Sequence, residues 1–400
     1  TIKNTTDVNS GKGTNNGIDI HGGNVFLTDG PPGLSSDVAQ IESSTGTSGG
    51  TINITADHTI SLSNNASILN RSGSFEFGSV NLTASSIMLN HSAIRGRTEL
   101  ERNAGAISVT ATKGNVELSN DSHILTNTLS SGDAGLITLK ASNSVLLTGG
   151  STIESSSLNG ATGNAGSMTV EGLASSAQSV LIDGVDSGIF TTTEGTGAGG
   201  NIFVNANSVT LQNGGTLSAT TSGTEASATG GTITVNANQV QLNNGGLITA
   251  STTGAGIGGT ITVDATNTVT MTGGAAITAN STGTADAGSI NITAMNGFTM
   301  QNSSITAQVT PSATPGQSSA GGGDIKITTS DAATVELLNS KIIASVADGP
   351  GGGGNISIDP QFVILLNSQI LAQAAQGQGG AITITAGLFL PDANSIVNAD

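Results

Sequence analysis

Residues 230–256 read GGTITVNANQVQLNNGGLITASTTGAG, and at Gly258 the chain begins the same sentence again with GGTITVDATNTVTMTGGAAITANSTGTADAG. Each copy carries three short alternating segments in a fixed order. In the first copy Ile233, Val235 and Ala237 are followed by Val240 and Leu242, then by Ile248 and Ala250. Their counterparts in the second copy are Ile261, Val263 and Ala265, then Val269 and Met271, then Ile277 and Ala279. Alternation at period two marks strands with one face turned inward, and no segment holds helical spacing over a useful length. Residue type agrees, because Gly, Thr, Asn, Ser and Val dominate while strong helix formers are scarce.

The same unit extends in both directions. Aligned on the Gly of G-x-[I/V/M]-x-[V/I/L], it starts at Gly50, Gly78, Gly105, Gly135, Gly166, Gly200, Gly231, Gly259, Gly288, Gly323, Gly354 and Gly380, an average spacing of 30 residues. A degenerate unit precedes these at Ile18 and Ile20. The second and third apolar segments keep a nearly fixed offset, six residues from Leu62 to Ile68, from Leu118 to Ile124 and from Leu242 to Ile248. Length variation falls after the third segment, for example in residues 155–165 and 308–322. This reads as a surface loop, whose growth costs little closure entropy.

Together these features predict an all-β chain folded as a parallel β-helix, or β-solenoid, of about 13 coils of roughly 30 residues with three short strands per coil. The expected layout is a single rod over residues 1–400, with a partial first coil in 1–16 and regular coils in 17–397. At ~4.8 Å per coil the rod would be about 60 Å long. One coil buries too little to offset its own ordering, so stability must belong to the stacked array. Periodicity does not fix the hand of the winding.

Two positions after the second-strand Leu or Met come Asn64, Asn120, Asn213, Asn244, Asn302, Asn339 and Asn367, with Gly149 and Gly273 in two other coils. Asn and Gly tolerate the left-handed backbone that a sharp corner needs, and stacked Asn amides can bond from coil to coil. This Asn corner ladder is read as structural.

Composition limits function. The formal charge is −17, and ten Lys and Arg are too few to neutralise a run of phosphates, which argues against a nucleic-acid partner. There is no Cys, hence no disulfide framework or thiol chemistry, and no Trp or Tyr for stacking on sugars. The longest apolar run, residues 362–366, is far too short to span a bilayer. His21, His58, His91 and His123 are scattered, and the last two, near corners of adjacent coils but in different registers, read as solvated turn residues. Asp264 and Asp359 share a register three coils apart, and Asp324 sits beside Lys326 in one coil. No catalytic constellation, metal set or cofactor motif emerges, so the chain reads as non-catalytic. Asp183, Asp186 and Glu194 in the long sixth coil are where a cation would be drawn, although the calcium-binding G-G-x-G-x-D repeat is absent.

The pattern GG-x-I-x-V-x-A, then V-x-L-x-N-G, then I-x-A-x-T-T-x-G resembles the repeat region of filamentous-haemagglutinin-like exoproteins of Gram-negative bacteria, over Ile18 to Val397. That resemblance implies a right-handed parallel β-helix, two-partner secretion through an outer-membrane β-barrel, and a secreted or cell-surface adhesin. The family's secretion domain carries Asn-Pro-Asn-Gly, whereas Asn15-Asn16-Gly17-Ile18 lacks the Pro, so the resemblance covers the rod without its export domain. Thr1 to Thr6 reads as the end of an earlier coil and Ser395-Ile396-Val397 as a third strand, which leaves two expectations. Either this is a segment of a longer adhesive fibre, or its ends stack on other copies to form a filament. A polysaccharide-active β-helix enzyme is the third reading.

Candidate contact surfaces follow from register. Positions one, three and five after each Gly point outward, and from Gly50 onward 26 of these 36 are Thr, Ser or Asn, including Thr232, Thr234, Thr260 and Thr262. The face offers hydroxyls to an extracellular polymer or a laterally packed copy. Phe203 and Phe362 are the apolar residues expected outside, and Arg95 and Arg97 belong to a charged stretch, RGRTELER, expected as a loop after the third coil.

Overall fold

The computed structural model describes residues 8–9, 17–28, 39–45, 50–72, 78–98, 103–173, 176–310 and 319–400. It is all-β, a parallel β-solenoid with coils of about 29 residues, consistent with right-handed winding. The chain divides into two compact units, residues 1–200 with 204–206 and residues 201–203 with 207–400. Each has the same construction.

In unit 1 the third strands stack in chain order from Val8–Asn9 through Gln40–Thr45, Ser67–Ser72, Ala93–Thr98, His123–Thr128 and Thr152–Ser157 to Gly188–Phe190. These strands pair in parallel, and equivalent residues face each other from rung to rung, as in Ile68, Ile94, Ile124, Ile153 and Ile189. Thr1 to Thr6, expected to hold a third strand, lies outside the described residues; the described pairing nearby joins Val8 to Ile41. In unit 2 the rungs run from Thr216–Ser218 to Ile396–Asn398, the last pairing with Gln369–Leu371.

First and second strands form the other wall. In several coils they fuse into one long bent strand, as in Ile52–Ser63, Ile233–Asn243 and Ile261–Thr272, with a register shift between Ala237 and Gln239. The alternation is kept on both sides of the bend, so the inward aliphatics still form columns. Ile233, Ile261, Ile290, Ile325, Ile356 and Ile382 make one. Parallel, in-register stacking places like on like, which lets every coil use the same thin core of Ile, Val, Leu and Ala.

From Asn64 to Asn367 the corner after the second strand is left-handed. Asn64, Asn120, Asn213, Asn244, Asn302, Asn339 and Asn367 have φ of 55, 53, 53, 47, 49, 49 and 48°. Gly149 and Gly273 take the same place at 62 and 64°, and His91 does so at 49°. Amide ladders cross some rungs, with Asn120 Nδ2 donating to Asn90 Oδ1 at 2.9 Å and Asn367 Nδ2 to Asn339 Oδ1 at 2.8 Å. A second ladder beside it is built from hydroxyls: the backbone N–H of Ser92, Ser122, Ser303, Ser340 and Ser368 donates to the Oγ of Ser122, Ser151, Ser340, Ser368 and Ser395. Because a left-handed Cβ costs ~1–2 kcal/mol for an ordinary residue, Asn244→Ala is expected to lower the thermal midpoint while Asn244→Gly leaves it nearly unchanged. Equal losses in both variants would mean that the amide ladder, and not the backbone, sets the cost.

At the last corner a carboxylate replaces the amide. Asp392 Oδ1 accepts from Ser395 Oγ at 2.6 Å, and its two oxygens accept from the backbone N–H of Asn367 at 3.1 Å each. The Ser395 hydroxyl, helped by backbone donors, holds this carboxyl below its ordinary 3.8 against a smaller opposing effect of desolvation. A depressed pKa adds stability that is present above 3.8 and lost as pH falls through the lower folded value. Carbon-13 titration of Asp392 is therefore expected to give a midpoint below 3.8. A midpoint at or above it would mean these donors are not engaged in solution.

The segment after the third strand corrects the sequence reading of a surface loop. In unit 1 residues 155–165 carry buried Ser155, Ser156, Ser157, Ala161 and Ala165, and Ser157 bridges Thr193 of the next coil. The hydroxyls that look loop-like face inward and hold the returning chain: Thr126 Oγ1 donates to the Gly135 carbonyl at 2.8 Å, Ser157 Oγ to Gly163 at 2.6 Å and Thr191 Oγ1 to Gly200 at 2.9 Å. In unit 2 the backbone does this work. Gly259, Gly288, Gly323, Gly354 and Gly380 donate their N–H to the carbonyls of Ala250, Ala279, Ala307, Ala344 and Ala372 at 2.7–2.8 Å, closing each coil. Beyond it a column of single bridges runs through Thr221, Thr252, Ser281, Val309, Val346 and Ala374. Val309 and Val346 join Ala287 and Ala320 in a small satellite core under the returning chain.

Candidate functional site

The outward face of the first strands is arranged in columns. In unit 2 Thr234 stands in register with Thr262, then Asn291, Lys326, Ser357 and Thr383. Thr232 is exposed, and Thr234, Thr260 and Thr262 are half-buried, as is Phe203 on the strand Ile202–Gln212. Polar side chains on this face bond along the stack: Asn201 Oδ1 accepts from the Thr232 N–H at 3.0 Å, and Asp324 Oδ1 accepts from Asn355 Nδ2 at 3.0 Å. In unit 1 Asn81 donates to Asn53 at 2.9 Å and Asn53 to Asp19 at 2.7 Å. Lys140 Nζ meets Glu171 Oε1 of the next rung at 2.9 Å, a surface pair worth ~0.2–1 kcal/mol. Asp264 and Asp359 fall in one column with Thr293 and Thr328 between them. Three rungs put them about 14 Å apart, beyond the roughly 5–9.5 Å that paired glycosidase carboxylates span.

Phe362 opens the strand Phe362–Leu366 and is 38% exposed. It is one corner of a larger apolar patch. Val363 and Leu365 point inward, whereas Phe362 and Leu366 are exposed, and the paired strand Leu388–Pro391 adds exposed Leu388 and Leu390. Sequence reading found only Phe362. The signal for the rest was the unbroken run FVILL, in which alternation fails because both faces are apolar.

Arg95 and Arg97 correct the expectation of a charged loop. Both lie within the strand Ala93–Thr98, paired on both sides, and both are exposed. Alternation explains this: Ile94 and Gly96 fill the inward positions, and Gly96 fits beneath Thr126 and the Gly105 carbonyl. Residues 99–102, the rest of that stretch, lie outside the described residues.

The third-strand wall of unit 1 holds two depressions. The first, about 170 Å³, brings together His91, Arg95, Asp121 and His123. His123 Nδ1 lies 2.8 Å from Thr152 Oγ1, and its Nε2 lies 3.3 Å from Asp121 Oδ1. His91 Nδ1 lies 3.2 Å from the Asn120 carbonyl. Two histidines that differ in register thus share one wall, yet each is engaged locally. The second depression, about 340 Å³, lies one coil further on and is lined by Thr152, Glu154, Ser156, Asp186, Phe190 and Glu194 among others. Of the acidic residues singled out in the sixth coil, Asp186 and Glu194 reach it; Asp183 closes the strand Ala177–Asp183 elsewhere. Among the described residues no group of three His, Cys, Asp or Glu is placed to hold a metal ion, and no helix is long and apolar enough to cross a membrane.

No protein-family model, curated protein or solved structure matches this chain.

Proposed function

We propose that this chain is a segment of an extracellular, cell-surface structural and adhesive fibre, non-catalytic, exported from a bacterial cell through an outer-membrane partner. The observation that supports it best is the rung-to-rung register of the first strands in unit 2, where inward aliphatics fill the interior and outward positions repeat as polar columns. Such an array resists local opening because each coil is tied to both neighbours, and it repeats one contact chemistry along a face. Export and surface location rest on the sequence resemblance alone, a fold-level analogy. Antibody raised against the chain is expected to label intact source cells, and beads coated with the chain to be retained on a cell layer above albumin-coated beads. Labelling only after permeabilisation would sink the location, and equal bead retention would sink adhesion.

A second reading, a filament subunit, draws on residues 380–400. There Leu388 and Leu390 join Phe362 and Leu366 in an outward apolar patch that a second copy would cover. Sedimentation velocity separates the two: polymer growing with concentration favours the filament, and a constant monomer favours the fibre segment.

A further inference from the structure

The second depression of unit 1 has the make-up of a binding site. Its carboxylates are Glu154, Asp186 and Glu194, and no Lys, Arg or His is among its described lining. Phe190 forms a half-buried aromatic wall directly beside Glu154, since the two are register partners. The independent feature is Ser156. This side chain is 1% exposed and lines the depression, yet its Oγ has no hydrogen-bond partner. Most other hydroxyls buried along this segment, on Thr126, Thr128, Ser155, Ser157, Thr191 and Thr193, hold a neighbouring carbonyl or hydroxyl. A buried polar atom left unsatisfied in a native fold calls for a partner.

We propose that this depression binds an extended organic cation, ammonium groups carried on a flexible aliphatic chain. Three features select that chemistry. An ammonium N–H donates to the waiting Ser156 Oγ and to Glu154, the Phe190 ring takes the cation on its face, and the volume lies in the range of small-ligand sites. The carboxylates are dispersed: with Ser157 opposite Thr193, Glu194 stands about four residues beyond the Glu154 position, or about 13 Å along the strand direction. One metal ion cannot bridge that distance, whereas a chain bearing several charges can. A neutral saccharide would leave this charge unmatched. The site stands on these side chains and does not rest on the adhesive reading.

Isothermal titration calorimetry on the whole chain, with spermidine and with a tri-lysine peptide as probes, tests the proposal. One saturable site per chain is expected, with binding weakened at least tenfold in Glu154→Gln and in Phe190→Ala. Binding should be unchanged in Asp264→Asn, which removes an exposed carboxylate of unit 2. Tighter binding of tri-lysine would identify a protein side chain as the source of the ammonium, and tighter spermidine a free polyamine. Circular dichroism checks folding, and should Phe190→Ala fail to fold, the isosteric Glu154→Gln carries the test. The proposal is overturned by heats that never saturate, by an equal loss in Asp264→Asn and Glu154→Gln, which is diffuse attraction to an acidic chain, or by maltotriose binding where both cations do not.

Discussion

Gly288→Ala is expected to open the coils on either side of it, although it adds one methyl group. The Gly288 backbone does not need glycine for its φ, so the effect is purely one of space. A Cβ there would overlap the carbonyl oxygen of Gly259 and press on the Gly258 carbonyl carbon at 2.7 Å and its oxygen at 2.8 Å, all backbone. Backbone tied into two coils cannot swing aside as a side-chain tip would. The Gly288 N–H also closes its own coil through the Ala279 carbonyl at 2.7 Å, so any retreat from Gly259 breaks that bond. Overpacking a core costs ~1–3 kcal/mol, and with the closing bond at risk about 3 kcal/mol is expected, on the order of a hundredfold in local opening. Hydrogen-exchange mass spectrometry should show faster exchange in peptides covering residues 259–294. Gly23→Ala is the control, because nothing lies within 4 Å of a Cβ there; its stability should stay within ~0.5 kcal/mol. If both variants exchange like the parent, the coils are further apart in solution than this packing requires.

The same glycines show what was legible in the sequence. Period-two alternation and a fixed spacing identify strands and coils because both are local consequences of chain geometry, and Asn at a left-handed corner is local chemistry too. The order in residues 155–165 was hidden for a physical reason. Ser and Thr signal loops because their hydroxyls compete for backbone groups, and here the same hydroxyls satisfy carbonyls inside the coil, as Ser157 does for Gly163. The strand carrying Arg95 and Arg97 was obscured by charge, which says nothing of pairing once both neighbouring rungs continue. The depression around Ser156 joins side chains some forty residues apart, from Thr152 to Glu194. Only the stacking register brings them together. Asp186 and Glu194 attracted notice as charges, whereas Phe190 and Ser156 carry no sequence signal beyond their place in a rung.

Phe298→Ala should test whether stability is shared along unit 2 or confined to single coils. Phe298 is fully buried on the strand Gly297–Gln301, in a column where Val240, Val269, Val335 and Val363 flank it on both sides and Phe389 stands beyond Val363. One ring therefore fills a space that its neighbours fill with isopropyl groups. Truncating a buried Phe costs ~3–5 kcal/mol, the upper end where the surroundings cannot collapse. Collapse is hard here, because moving Phe298's strand inward would break register with the rungs above and below it. Phe298→Val, which restores the side chain its column uses elsewhere, is expected to lose distinctly less. In a nearest-neighbour array the form of the transition matters as much as its midpoint. If coupling between coils is strong, urea melting of Phe298→Ala followed by circular dichroism should remain a single transition at lower urea. If coupling is weak, the transition should split, with the coils around Phe298 unfolding first and those toward residues 207–230 later. A single unshifted transition would mean that the ring contributes no net burial, which its complete enclosure argues against.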